Sequence, residues 1–248
     1  MKLILVFLLS ISTLLSAKEI VGNIVLVDGN VKIKSKGSIK KRKAKIGLTI
    51  YSGDLISSSK ASHLKLKLID NSILILDELS TLHFNTLKSA EQLSGKVLYK
   101  ITSRDAKNSL HVKTPFAVIG IKGTTFIVNA IETEQSVRLK EGLIGIASIN
   151  EKFALYRKKV DAAFKKFQEE QDGVYKEQLQ DKLTAFEKFK RGESNSDNKE
   201  QQPEITKEFD LEAGNSVSFD GNSVHESEFD ANALDEFEYF EKLLAQEE

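Results

Sequence analysis

The stretch TPFAVIGIKGTTFIV, Thr114 to Val128, decides how this chain is read. It holds one of the chain's two prolines, two glycines three residues apart, and a lysine between them. The fragment GIKGTT invites comparison with a phosphate-gripping loop. Such a loop needs GxxxxGK[ST] between a strand and a helix, so that free N–H groups face phosphate. Here Lys122 precedes Gly123, and the residues that follow, Thr124 to Val128, are β-branched or aromatic and open a helix poorly. A GxGxxG fingerprint also fails, since only Gly120 and Gly123 are available. The stretch therefore reads as backbone-shaping. Pro115 suits a strand start or edge, Gly120 and Gly123 allow turns or close approach, and Phe116, Val118, Phe126 and Val128 supply core.

Outward from it, Ile20 to Ile149 shows short strands of period two. Leu64, Leu66 and Leu68 alternate with Lys65 and Lys67, which predicts one buried and one wet face. Asp70-Asn71-Ser72 forms a turn cluster before the continuous apolar run Ile73 to Leu76. Many such strands with no helical period between them predict a mainly β domain: sandwich, barrel or solenoid.

The character changes at Asn150. Phe153, Tyr156, Val160, Phe164 and Phe167, then Leu179, Leu183 and Phe186, recur at helical steps within Glu151 to Arg191. They predict an amphipathic arm, either one long helix or a hairpin broken near Asp172-Gly173. Its apolar stripe is a candidate partner-binding face, for another envelope protein or a second copy. Arg191 to Glu204 is a polar linker. Strand alternation returns at Phe209 to Phe219, so the helical segment reads as inserted into the β domain. The predicted organisation is residues 1–17 as signal peptide, 18–149 as β domain, 150–205 as insertion and linker, 206–225 as returning strands, and 226–248 as a short acidic amphipathic helix.

The signal peptide rests on Lys2, the apolar run Leu3 to Leu9 and the small exit Ser16-Ala17. No other segment is apolar enough to span a membrane, so the expected location is periplasmic or secreted. The 248-residue chain has no cysteine, which removes disulfides, thiolate metal sites and a cysteine nucleophile. Its 36 basic and 36 acidic residues cancel, but unevenly. Lys18 to Ile149 carries 21 basic against 11 acidic residues, and Asn150 to Glu248 carries 14 against 25. Each half can attract the other or a neighbour's.

Within the basic half, Val31 to Ile46 contains no acid. Lys40, Lys41, Arg42 and Lys43 head a candidate polyanion-binding loop; no aromatic interleaves it, so base stacking and nucleic acid are not expected. His63, His83 and His111 lack metal-ligand spacing, no G-x-S-x-G elbow is present, and no cofactor motif is found. The chain reads as non-enzymatic, without metal or cofactor.

Gly53-Asp54-Leu55-Ile56, Leu64 to Leu76 with Asp70 in its turn, Leu93-Ser94-Gly95-Lys96-Val97 and the opening stretch together resemble the FecR-type domain of bacterial envelope proteins. The family's hallmark is Thr-Pro-x-Ala, then a valine or isoleucine, Arg-Gly-Thr and a phenylalanine. Thr114, Pro115, Ala117, Ile121, Gly123, Thr124 and Phe126 match it, and Lys122 replaces the arginine. Val137 to Ala147 and Phe209 to Phe219 resemble its last strands. The resemblance implies a periplasmic, non-enzymatic β-solenoid or sandwich-like domain that binds other proteins, for scaffolding or signalling. In the namesake group it relays signals to a sigma factor through a membrane span, where this sequence shows a signal peptide instead.

Overall fold

A computed structural model describes residues 18–102, 109–121, 123–157 and 202–246. The chain weaves between two sheets. β1 (Ile20–Asp28) lies in the first, β2 (Val31–Lys34) and β3 (Lys41–Lys43) form a hairpin in the second, and β4 (Thr49–Tyr51) returns to the first. β5 (Leu55–Ser58) joins the second, β6 (His63–Leu68) and β7 (Ile73–Leu76) the first, and β8 (Thr81–Thr86) the second. β9 (Ser89–Lys100) belongs to both. Next come β10 (Leu110–Lys113) and β11 (Val118–Ile121) in the second sheet, then β12 (Thr125–Ile131) and β13 (Glu134–Glu141) in the first. β14 (Leu143–Ala147) is in the second, β15 (Phe153–Tyr156) and β16 (Glu204–Thr206) in the first, and β17 (Glu208–Glu212) in the second. β18 (Asn215–Asp220) and β19 (Ser223–Glu228) close the first sheet's series, and α1 (Ala231–Ala245) follows.

The first sheet runs β4-β1-β6-β7-β9-β12-β13-β18-β19-β15-β16, and the second β3-β2-β5-β8-β9-β10-β11-β14-β17. Both orders are open at their ends, so the architecture is an open two-layer sandwich rather than a closed barrel. Pairing is antiparallel except at β9–β10 and β15–β19.

β9 changes sheets at Gly95. Residues before it pair with β8 and those after it with β7 and β12. Gly95 has φ +81, and a Cβ there would lie 2.4 Å from the Ser80 Cα, so glycine is required at the bend. Across the same bend, the buried Tyr99 hydroxyl donates to Gln92 Oε1 at 2.9 Å, while Gln92 Nε2 donates to the carbonyls of Gly95 and Val128. This satisfied polar cluster ties the two layers inside an otherwise apolar core. The core takes inward residues of both sheets, among them Leu64, Leu66, Phe126 and Val137 from one and Ile33, Ile56, Leu82 and Ile146 from the other. Tyr99 stacks on Phe126 with ring centroids 4.8 Å apart.

Two expectations are corrected. Phe153 and Tyr156 lie on strand β15, not on a helix: β15 pairs antiparallel with β16 and parallel with β19. Phe153 is buried against Phe209 and Phe219, and so belongs to the core rather than to a partner-binding face. Cross-strand pairing, which periodicity over four residues cannot register, overrides the helical pattern here. Val160, Phe164, Phe167, Leu179, Leu183 and Phe186 lie outside the described residues. The second correction concerns Lys65, predicted on a wet face and found buried, because α1 covers that face.

Candidate functional site

The opening stretch spans a hairpin and a crossover. Thr114 closes the turn between β10 and β11. Its Oγ1 accepts from the N–H of Phe116 at 3.2 Å and of Ala117 at 2.9 Å, and its own N–H donates to the Ala117 carbonyl. Pro115, which has no N–H to satisfy, occupies the turn between them. After β11 the chain leaves the second sheet at Gly123 (φ +129) and enters the first at β12. Thr124 exchanges backbone bonds with Ile101, which fixes the crossing. Gly142, with φ +91, packs so closely that a Cβ there would lie 2.6 Å from the Gly123 carbonyl oxygen. A strand, not a helix, follows the glycines.

The other motif residues also act on backbone. The carboxylate of buried Asp54 accepts from Tyr51 N–H at 3.2 Å and lies 3.8 Å from the Arg42 guanidinium. Gly53 (φ +85) packs on the aliphatic stem of Lys36 and donates its N–H to the Phe84 carbonyl. Asp70 accepts from the backbone N–H and hydroxyl of Ser72, which sets the β6–β7 turn. These contacts hold turns in place.

The histidines do not converge: no group of three or more His, Asp or Glu side chains is placed to hold a metal among the described residues. His63 lies 3.8 Å from Asp28, while His83 and His111 sit in different cross-strand rows of the second sheet. Of the basic loop, Arg42 faces Asp54, and Lys41 and Lys43 lie opposite Lys34 and Lys32 on β2.

The most elaborate surface is the outer face of the first sheet. Strand register places Lys65, Ile75, Leu98, Ile127 and Arg138 in one row across β6, β7, β9, β12 and β13. Three apolar side chains are thus bracketed by two cations. α1 lies over this row and packs Phe237, Phe240 and Leu243 against Ile75, Leu98 and Ile127, in a cluster separate from the sandwich core. The spacing of three puts those helix residues on one face. Asp230 caps the helix start, its Oδ1 accepting from Ala233 N–H at 2.8 Å.

Charges fix the helix in place. At its end, the Lys65 ammonium donates to the carbonyls of Leu243, Leu244 and Gln246 at 3.4, 3.1 and 2.6 Å. A cation there satisfies orphan carbonyls and meets the negative end of the helix dipole. Glu236 accepts from both Lys96 and Arg138, the latter at 2.8 Å. Lys140 pairs with Glu241 and lies over the Phe237 ring. The Tyr239 hydroxyl donates to Asp77 Oδ1 at 3.1 Å, and burial, reinforced by the Asp77 charge, pushes its pKa up to about 12. Beside the helix runs a groove of about 370 Å³ lined by Leu98, Lys100, Thr125, Lys140, Phe237 and Leu244. The continuous apolar run Ile73 to Leu76 was the sequence signal for this second covered face.

No helix among the described residues is long and apolar enough to cross a membrane. No curated protein matches the chain. Two crystal structures of a candidate anti-sigma factor from Parabacteroides distasonis ATCC 8503 are similar at 11% identity. One, at 1.65 Å resolution, has a TM-score of 0.45 and covers 74% of this chain and 63% of that chain. The other, at 2.50 Å, has a TM-score of 0.43 and covers 72% and 61%. This chain therefore spans less than two thirds of either one. Asp54 to Gly145 match the family model described as FecR protein, a region that runs from the buried Asp54 carboxylate through the TPFA turn to β14. That match covers the centre of the sandwich, 92 of the chain's 248 residues.

Proposed function

We propose that the chain is a non-catalytic protein-interaction module of the bacterial envelope, acting in the periplasm after loss of residues 1–17. Its docking surface is the outer face of the first sheet, and its recognised element is an acidic amphipathic helix. The family match supports a signalling or regulatory module. One observation carries the finer reading: an apolar row bracketed by Lys65 and Arg138 holds an acidic helix through charge-assisted bonds at its middle and its end. Helix-in-groove recognition lays the apolar face of an amphipathic helix into an apolar groove, and Lys96 and Arg138 add a match to its acidic Glu236. In this reading α1 occupies the face as a resident ligand, which a partner helix of the same chemistry displaces or extends. The stripe Val160, Phe164, Phe167, Leu179, Leu183 and Phe186 is proposed as a second contact.

The test is site-specific photocrosslinking in the native envelope. A crosslinker at Thr125 or Lys100, in the groove beside α1, is expected to capture a discrete protein identifiable by mass spectrometry. A crosslinker at Lys113, on the opposite sheet, is expected to capture none. Equal capture at both positions, or none at either, contradicts the reading.

A further inference from the structure

The second sheet ends in an edge built unlike the rest of the molecule. Val31 and Ile33 of β2 are buried, so Lys32 and Lys34 project from the outer face. β3 pairs with β2 so that Lys43 stands directly opposite Lys32 and Lys41 opposite Lys34. Four exposed ammonium groups therefore share one face. Like charges in directly opposed positions oppose strand pairing. Among the described residues none of the four forms an ion pair. The nearby Asp54 carboxylate serves Arg42 on the other face and is buried. Guarding an exposed edge explains lysines on β3, but it does not explain the matching pair on β2.

The same hairpin carries a second anomaly. Ile39, in the turn between β2 and β3, is 95% exposed, the highest exposure of any large apolar side chain among the described residues. Ile46, just past β3, is 65% exposed. Lys36, Lys40 and Lys45 flank these two isoleucines in the chain. A soluble polyanion has use for the lysines but none for a bare isoleucine at the tip. A lipid surface uses both: cations meet anionic headgroups, and an apolar tip enters the boundary with the acyl chains. We infer that the β2–β3 hairpin docks the domain peripherally on a membrane surface rich in anionic phospholipid, with the four lysines facing headgroup phosphates and Ile39 inserted between them.

The test uses the chain from Lys18 onward, which retains every described strand because β1 begins at Ile20. Binding is measured by co-sedimentation with vesicles of phosphatidylcholine, with and without phosphatidylglycerol, and in parallel on a heparin column. The expected results are binding only to the anionic vesicles, weakening with added salt, and loss on both supports when Lys32, Lys34, Lys41 and Lys43 all become Gln. Ile39→Asn separates the sources: it is expected to weaken vesicle binding roughly tenfold, since an inserted side chain loses its apolar burial, and to leave heparin retention unchanged. Both variants must melt no lower than the parent, and relief of the opposed charges should raise the melting temperature of the four-lysine variant if it moves at all. Absence of vesicle binding overturns the inference. So does vesicle binding that Ile39→Asn leaves intact, which would make the hairpin a binder of soluble polyanions.

Discussion

The Lys65 ammonium lies 2.6 Å from the Gln246 carbonyl oxygen, joining residues 181 positions apart. A lysine on a strand thereby caps a helix at the far end of the chain. Replacing it should uncouple α1 while leaving the sandwich folded. Lys65→Met keeps the stem's packing and removes three donated bonds, for an expected loss of about 1.5–3 kcal/mol. Hydrogen exchange should show faster exchange confined to residues 231–245, with β6 and β7 still protected.

Arg138 and Glu236 provide a separate test of the same contact. Both side chains are largely shielded, and Lys96 shares the carboxylate. Arg138→Ala and Glu236→Ala should each cost about 1–3 kcal/mol, because each strands a charge that has lost part of its hydration. A double-mutant cycle, read by urea unfolding, should give a favourable coupling that moderate salt reduces only slightly.

The crossover motif makes a backbone prediction. Gly142→Ala adds a Cβ to a residue at φ +91, 2.6 Å from the Gly123 carbonyl oxygen. The expected cost exceeds about 2 kcal/mol, combining strain with the clash. Thr114→Val, which leaves the N–H groups of Phe116 and Ala117 without their acceptor, should cost about 1–3 kcal/mol. Thermal denaturation of both variants checks these values.

Tyr99 makes the stability depend on alkaline pH. Its phenol is buried, and burial raises its pKa well above the ordinary value of about 10. The unfolded chain releases this proton first as pH rises, so the stabilisation is complete below about pH 10 and is lost above it. Tyr99→Phe should flatten that slope, and should also lower stability at neutral pH because Gln92 Oε1 loses its donor. Urea titrations from pH 8 to 11 measure both effects.

The strand series, the turn at Asp70 and the strand that follows GIKGTT were legible because they depend on local spacing and backbone preference, whereas Pro115, read as a strand start or edge, lies in the turn that Thr114 closes. Helix α1 was legible too, from Phe237 and Phe240 at helical spacing. Lys65 was not, because alternation says which residues share a face but not whether a distant helix covers it. Phe153 was misread because aromatics three residues apart fit a helix, while β15 pairs Phe153 with Thr206 and Ala154 with Ser223, in returning strands about 50 residues or more away. The lysine square shows the same limit. The basic run was visible as composition, but only the β2–β3 register separates Arg42 from Lys41 and Lys43 and brings in Lys32 and Lys34.

The pairing of Phe153 to Leu155 with Thr206 to Glu204 makes residues 158–201 the connection of a strand hairpin. Replacing them with a short turn should leave the sandwich intact, since a shorter loop lowers closure entropy only slowly with length. The melting temperature should stay close to the parent's; loss of cooperative unfolding would contradict this.

The central claim is that the outer face of the first sheet recognises an acidic amphipathic helix. The most direct measurement ends the chain at Asp230 and titrates it with a labelled peptide of residues 229–248, read by fluorescence anisotropy. The account predicts a folded truncated domain that binds the peptide saturably, with binding weakened at least about tenfold by Lys65→Met or by a peptide carrying Glu236→Lys, as loss of a charge-assisted bond requires. A truncated domain that keeps its β-sheet signature yet binds no peptide, or binds the reversed-charge peptide equally well, would contradict it.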